Sequence, residues 1–253
     1  PDANWGWDSY REQWFFGSTL FNVTASDSPY DLPIYIKMVQ ASRHDSITTV
    51  FALEDIHRLY PDLHFKYFIA DGAMDNYPTY DLLGHHDILP FISLDKRTKL
   101  KLNYPHPYIL CFDDRGRPIC NGGIPYTGWG YSKPKGLKYR CYFAVKGEKP
   151  PKECKCSDSK YGRVIYIKPD HDPRMFPPVP RSSCAFKARF KTRTSVERSN
   201  KRMFTDYAIE EYGSRSSMMR MALAAFAVIN IHLDAWVKNT NFSFTYLLQE
   251  QAA

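Results

Sequence analysis

Short blocks of apolar residues punctuate this 253-residue chain. Phe15-Phe16-Gly17-Ser18-Thr19-Leu20-Phe21-Asn22-Val23-Thr24 alternates as a half-buried strand does, and Leu32 to Val39 reads as a second strand beyond a turn at Ser26 to Asp31. Ile47, Val50, Phe51, Leu53 and Ile56 carry helical spacing, with Asp45 or Ser46 as the cap. Phe65, Tyr67, Phe68 and Ile69 predict a buried strand that stops at Ala70-Asp71-Gly72. Asp75 or Asn76 then caps a helix with Pro78 in its first turn and Tyr80, Leu82 and Leu83 on its apolar face. Ile88 to Leu94 is another buried strand, ending at Lys96-Arg97, whereas nothing before residue 15 makes a convincing strand. The order strand, strand, helix, strand, helix, strand implies an α/β protein with a mixed sheet.

From residue 104 to 185 the pattern changes. Pro, Gly, Lys and Tyr dominate, the strands are short (Tyr108 to Phe112, Tyr139 to Val145, Arg163 to Ile167), and all six cysteines fall here. Beyond it the chain turns basic, with Lys187, Arg189, Lys191, Arg193, Arg198, Lys201 and Arg202. A helix from Ser216 to Val237 is broadly apolar, and its methionines and aliphatics read as core packed deep against the sheet. Three segments follow: 1–103, a β-rich 104–185, and a helical 186–253.

The formal net charge of +7 favours a polyanionic partner. No run of 18 apolar residues occurs, so no membrane span is expected. Cys120, Cys141, Cys154 and Cys156 leave a structural Zn²⁺ open, but a C-x-C with scattered partners is a weak zinc pattern, and reduced thiols are the plainer reading.

Two stretches carry the candidate chemistry. Asp71 stands where an apolar strand gives way to a helix, the place at which open α/β sheets bind ligands. Arg193-Thr194-Ser195-Val196-Glu197-Arg198-Ser199-Asn200-Lys201-Arg202 opens a helix on which Glu197 and Lys201 share a face. For Glu197 the alternative is a capping box with Thr194. In this order the two stretches resemble the catalytic domain of insertion-sequence DDE transposases, of the subgroup with a Tyr-Arg-Glu-Lys-type final motif. Asp71 matches the second acid and Arg193, Glu197 and Lys201 the last motif, although Phe190 stands where that motif has Tyr.

The resemblance implies a ribonuclease-H-like mixed sheet flanked by helices, with 104–185 as a β-rich, Cys-containing insertion before the last acidic helix. It implies Mg²⁺ or Mn²⁺ held by Asp71 and Glu197, double-stranded DNA (transposon ends and target) as substrate, phosphate contacts from Arg193, Lys201, Arg198 and Arg202, and a prokaryotic cytoplasmic, nucleoid-associated setting. A homodimer stays open. The first strand and its catalytic Asp are expected upstream of Pro1, with Asp8 the second choice and Asp2 a weaker one. A truncated or domesticated DNA-binding remnant, or a ribonuclease-H-like nuclease, are the alternatives.

Overall fold

Trp5 and Trp7 alternate with Asn4, Gly6 and Asp8. In the computed structural model, which describes residues 3–8, 11–95, 104–132, 134–151, 154, 157, 159–211, 213 and 216–240, these five residues form strand β1 (Asn4–Asp8). This corrects the expectation that no strand precedes residue 15. β1 lies antiparallel to β2 (Gln13–Thr24), with Trp5 opposite Phe16 and Trp7 opposite Trp14. The usual signal is inverted: both tryptophans face outward and are exposed, while the buried position is a glycine. A Cβ on Gly6 would stand 2.6 Å from the Ala41 Cβ, so the close approach requires its absence. Asp2 lies outside the described residues.

The chain folds as two units, residues 1–59 with 192–253, and residues 60–191. In the first, β3 (Pro33–Gln40) completes an antiparallel sheet in the order β1-β2-β3, so the expected hairpin is present. On one face Tyr35 and Lys37 of β3 hold Asp55 of helix α1 (Asp45–Leu59), donating to its Oδ2 at 2.7 and 2.8 Å. That anchor sets the helix phase. Thr48, Thr49, Ala52, Leu53 and Ile56 are buried, while Ile47 and Phe51, expected inside, are exposed.

The other face carries helix α5 (Thr194–Lys201), a π turn at Arg202–Asp206 and helix α6 (Ser217–Thr240). Asn22 of β2 donates to Ser199 Oγ (3.1 Å) and Asn200 Oδ1 (2.9 Å), and Met203, Ala227 and Ile231 form a core with Leu20 and Leu32. α6 buries a narrow stripe of mainly small residues, Ala224, Ala227, Ile231 and Ala235. Met218, Met219, Phe226, Ile229, Leu233 and Trp236 stay exposed, which corrects the reading of the whole helix as deep core. Small side chains bring the helix close and turn the bulky ones out. By length and composition α6 is also long and apolar enough to cross a membrane, where the sequence reading expected no such span. Within this unit it carries polar anchors: His232 Nε2 lies 2.7 Å from the Pro33 carbonyl oxygen, and Asp234 accepts from Arg202 and Tyr207.

In the second unit β4 (Tyr67–Ala70) runs parallel to β5 (Leu89–Ile92), linked through helix α2 (Tyr77–His85). Asn76 caps α2, accepting the Thr79 N–H at 3.0 Å, and Pro78 sits in its first turn. A small ribbon, β6 (Cys111–Phe112) with β7 (Pro118–Ile119), precedes an antiparallel sheet of β8 (Thr127–Ser132), β9 (Gly136–Arg140) and β10 (Val164–Ile167), with β9 central. The strand expected over 139–145 ends at Arg140, and helix α3 (Tyr142–Lys146) follows. Leu137, Tyr139, Ile165 and Ile167 alternate inward onto Phe176 and Met175. Helix α4 (Cys184–Phe190), capped by Ser183, packs Phe186 on Phe91. Residues 104–185 share this compact unit with β4, α2 and β5. The described chain is a mixed α/β protein built from small separate sheets.

Asp31, at the β2–β3 turn with φ of 51°, receives both Arg198 Nε (2.6 Å) and Nη2 (2.7 Å), tying that turn to α5. The Arg198 guanidinium holds the Asp31 carboxyl below its ordinary value. A depressed folded-state pKa contributes stability above the unfolded value of about 3.9 that is lost as pH falls through the folded value. Asp31→Asn, which tolerates the same backbone conformation, should lower the melting temperature at pH 7, and the difference should close below about pH 4. A difference that persists at pH 2 would show the pair is not its source.

Candidate functional site

Asp71 follows the last residue of β4 and is exposed. Its Oδ1 accepts the Ala73 N–H at 3.0 Å, opening a 3-10 turn at Gly72–Met74. Gly72 eases the turn: a Cβ would stand 3.2 Å from Asp95 Cα and 3.3 Å from the Leu94 carbonyl oxygen, tight enough that the backbone leaving β5 would have to give by a few tenths of an ångström. The parallel pair β4–β5 therefore delivers Asp71 to its C-terminal end, as the strand-to-helix pattern predicts.

Four residues on, Asp75 has the opposite fate. Its side chain is fully buried. Oδ2 accepts from Arg174 Nη2 (2.8 Å) and the Asp95 N–H (3.0 Å), and Oδ1 from the Tyr80 hydroxyl (3.2 Å) and Arg174 Nε (3.3 Å). Arg181, also buried, donates to the Ile92 carbonyl (2.9 Å), the Arg174 carbonyl (2.6 Å) and the Tyr80 oxygen (2.7 Å), with Nη2 3.8 Å from Asp75 Oδ1. Burial raises the Tyr80 hydroxyl pKa, and the hydrogen bond to Asp75 raises that of Arg174. Of the two acids in one short motif, one is consumed by packing and the other left to solvent. Nothing in the sequence pairs Asp75 with arginines about a hundred residues away in a proline-rich stretch, so this cluster was illegible from the motif.

The remaining candidates lie in the other unit, on α5. Ser195 and Ser199 are buried, which turns Glu197 and Lys201 outward; both are exposed. Glu197 pairs with Arg193, Nη1 to Oε1, at 2.7 Å. The capping box is not formed: Thr194 Oγ1 instead accepts from Arg198 Nη1 at 2.8 Å, and the helix has no side-chain N-cap bond. Arg198 and Arg202 are engaged at home, with Asp31 and with Asp234 (2.7 Å) respectively, so both anchor α5 and its π turn. Asp8 ends β1, where its Oδ1 accepts the Arg11 N–H at 3.1 Å and closes the turn to β2.

The structure thus brings Arg193 and Glu197 together, while Asp71 stands in the second unit. Among the described residues no three His, Cys, Asp or Glu side chains gather as a metal site. Cys120 and Cys141 are buried and Cys154 is half-buried, whereas Cys156 lies outside the described residues. Compared with family models, curated proteins and solved structures, the chain matches none.

Asp75→Asn leaves the buried Arg181 and half-buried Arg174 guanidinium groups facing a neutral amide and should cost about 3–5 kcal/mol in urea unfolding. Asp71→Asn, at an exposed turn, should stay within about 1 kcal/mol. Equal losses would overturn the separation of a structural acid from an available one.

Proposed function

We propose that the chain is the catalytic part of a DNA transposase of the DDE type, with a ribonuclease-H-like core, that hydrolyses and rejoins phosphodiesters at DNA ends. The observation that carries the reading is the contrast at the end of β4: Asp71 is presented to solvent at a parallel strand's C-terminus while Asp75 is locked away. A carboxylate so placed is available to a ligand.

Asp71 and Glu197 supply hard oxygen donors, the type that Mg²⁺ and Mn²⁺ take, and such ions would neutralise charge on attacking and leaving oxygens. Asp71 spends one oxygen on the Ala73 N–H. Glu197 is held by an exposed ion pair, and such pairs are worth about 1 kcal/mol or less, so exchanging Arg193 for a stronger cation or a phosphate costs little. Freed from Glu197, Arg193 offers a bidentate fork to a phosphate, and Lys201 a point charge. Arg198 and Arg202 contribute chiefly by fixing α5 and its π turn, and reach backbone phosphates only as part of the basic surface around them.

Arg11 meets both oxygens of Asp8, its N–H on Oδ1 and its Nε 3.9 Å from Oδ2, and this favours a second reading, a DNA-binding remnant without a full set of acids. Mn²⁺-dependent nicking of supercoiled plasmid separates the two. The unmodified chain should nick, and Asp71→Asn or Glu197→Gln should each reduce nicking by at least about 100-fold. Loss of nicking in Asp8→Asn would make it the further acid. Binding with no nicking by the unmodified chain would establish the remnant, and undiminished nicking by Asp71→Asn would remove the acid assignment.

A further inference from the structure

Positive charge is divided unevenly along the chain. Residues 60–191 hold 23 of the 34 Lys and Arg but only 13 of the 27 Asp and Glu. The basic character that points to a polyanion therefore belongs to this unit, since the rest of the chain has more acids than bases.

Within it, the β8–β9–β10 sheet has two unlike faces. Leu137, Tyr139, Ile165 and Ile167 point into the core. Lys138, opposite Tyr166, and Arg140, opposite Val164, point the other way. A bulge between Gly128 and Gly130 adds Trp129 to this outward face, where Arg140 packs on its ring at 4.2 Å. Gly130 takes the φ of 145° that the bulge needs.

Arg140 is buried between Trp129 and the ring of Tyr161 (3.5 Å), and it donates to the Tyr161 carbonyl oxygen at 2.7 Å. It acts as a brace for two aromatic rings whose outer surfaces stay open: Trp129 is 46% exposed and Tyr161 45%. Lys138 Nζ lies 3.2 Å from the Tyr161 hydroxyl, and Lys135 Nζ sits 5.4 Å from the centre of the exposed Tyr166 ring. Rings and ammonium groups thus alternate over a sheet face whose opposite side carries the apolar core.

Exposed rings, Trp129 braced by the buried Arg140 and Tyr166 standing beside Lys138 on the same face, offer flat surfaces, and the lysines between them offer point charges. An unpaired nucleotide strand presents both complements, base faces and regularly spaced phosphates, whereas an acidic peptide presents only the charge and a closed duplex hides its base faces. We infer that the outward face of the β8–β9–β10 sheet binds an unpaired DNA strand, its bases stacking on Trp129 and Tyr166 and its phosphates tracking Lys135 and Lys138. This surface includes neither Asp71 nor Glu197 among its residues and requires no metal.

Titration of the full chain with a fluorescent 20-nucleotide oligo(dT), in EDTA, tests this independently of any cleavage. Duplex of equal length and polyglutamate serve as comparisons. Oligo(dT) should bind most tightly. Trp129→Ala and Tyr166→Ala should each weaken it by about 10-fold, with Trp129→Phe restoring most of the loss. Lys135→Gln with Lys138→Gln should lower the slope of log affinity against log salt by about 1.4. Thermal melts restrict the comparison to folded variants, and Tyr166→Ala serves if Trp129→Ala does not fold. Polyglutamate binding as tightly as oligo(dT), or affinity for oligo(dT) unchanged in both aromatic variants, would overturn the inference. Because no metal is present, failure here leaves the acid assignment untouched, and absence of plasmid nicking leaves this one untouched.

Discussion

The Asp75 carboxylate is the constraint on which the second unit depends. It sits on the turn after β4, and the exit of β5, helix α2 and the segment holding Arg174 and Arg181 each send it a donor: the Asp95 N–H, the Tyr80 hydroxyl and the Arg174 guanidinium, with the Arg181 guanidinium 3.8 Å away. A buried charge is tolerated only when its lone pairs are filled, so these four pieces of chain must arrive together. Arg181 extends the requirement, because its other donors close on the Ile92 and Arg174 carbonyls. The position of Asp71 is a by-product. The turn that carries Asp75 inward directs Asp71 outward, and Gly72 eases the bend beside Asp95.

A looser version of the same device holds α5 in the first unit. Asp31 and Asp234 take Arg198 and Arg202, and Asn22 reaches Ser199 and Asn200 from the sheet. These pairs are partly exposed and individually weak, yet they converge on one eight-residue helix whose own interior offers only two serines to bury. Helix position here rests on polar side chains more than on apolar area. Glu197 and Lys201 remain turned to solvent because the polar anchors occupy the opposite side.

What the sequence made legible were elements whose determinants are local. The β2–β3 hairpin, the parallel strand ending at Asp71, and the Asn76 cap with Pro78 behind it follow from residues within a few positions of one another. Where tertiary contacts set the outcome, the pattern misled. β1 hides because Gly6 fills its buried position. α1 is turned by the Asp55 anchor, so threonines displace Ile47 and Phe51 from the interior. α6 approaches on alanines and leaves its large side chains outside. Of the candidate site, the local placement of Asp71 and the outward face of α5 were readable; the employment of Arg198, Arg202 and Asp75 as anchors was not, since each partner is distant in sequence.

The two basic residue types are sorted by task. Arg140, Arg174 and Arg181 are drawn inward, where a planar guanidinium can serve several acceptors or lie between rings. Lys135, Lys146, Lys149, Lys160, Lys168, Lys187 and Lys191 of the same unit stay exposed. Counting arginines toward a nucleic-acid surface therefore overstates it, because several of those charges are spent on the fold. Apart from the exposed Arg115, the charge left outside among the described residues is carried mainly by lysine, a hydrated point charge without the fork that reads bases bidentately. A surface of that kind follows a phosphate backbone without regard to sequence, and any preference on this face falls to the rings between the lysines.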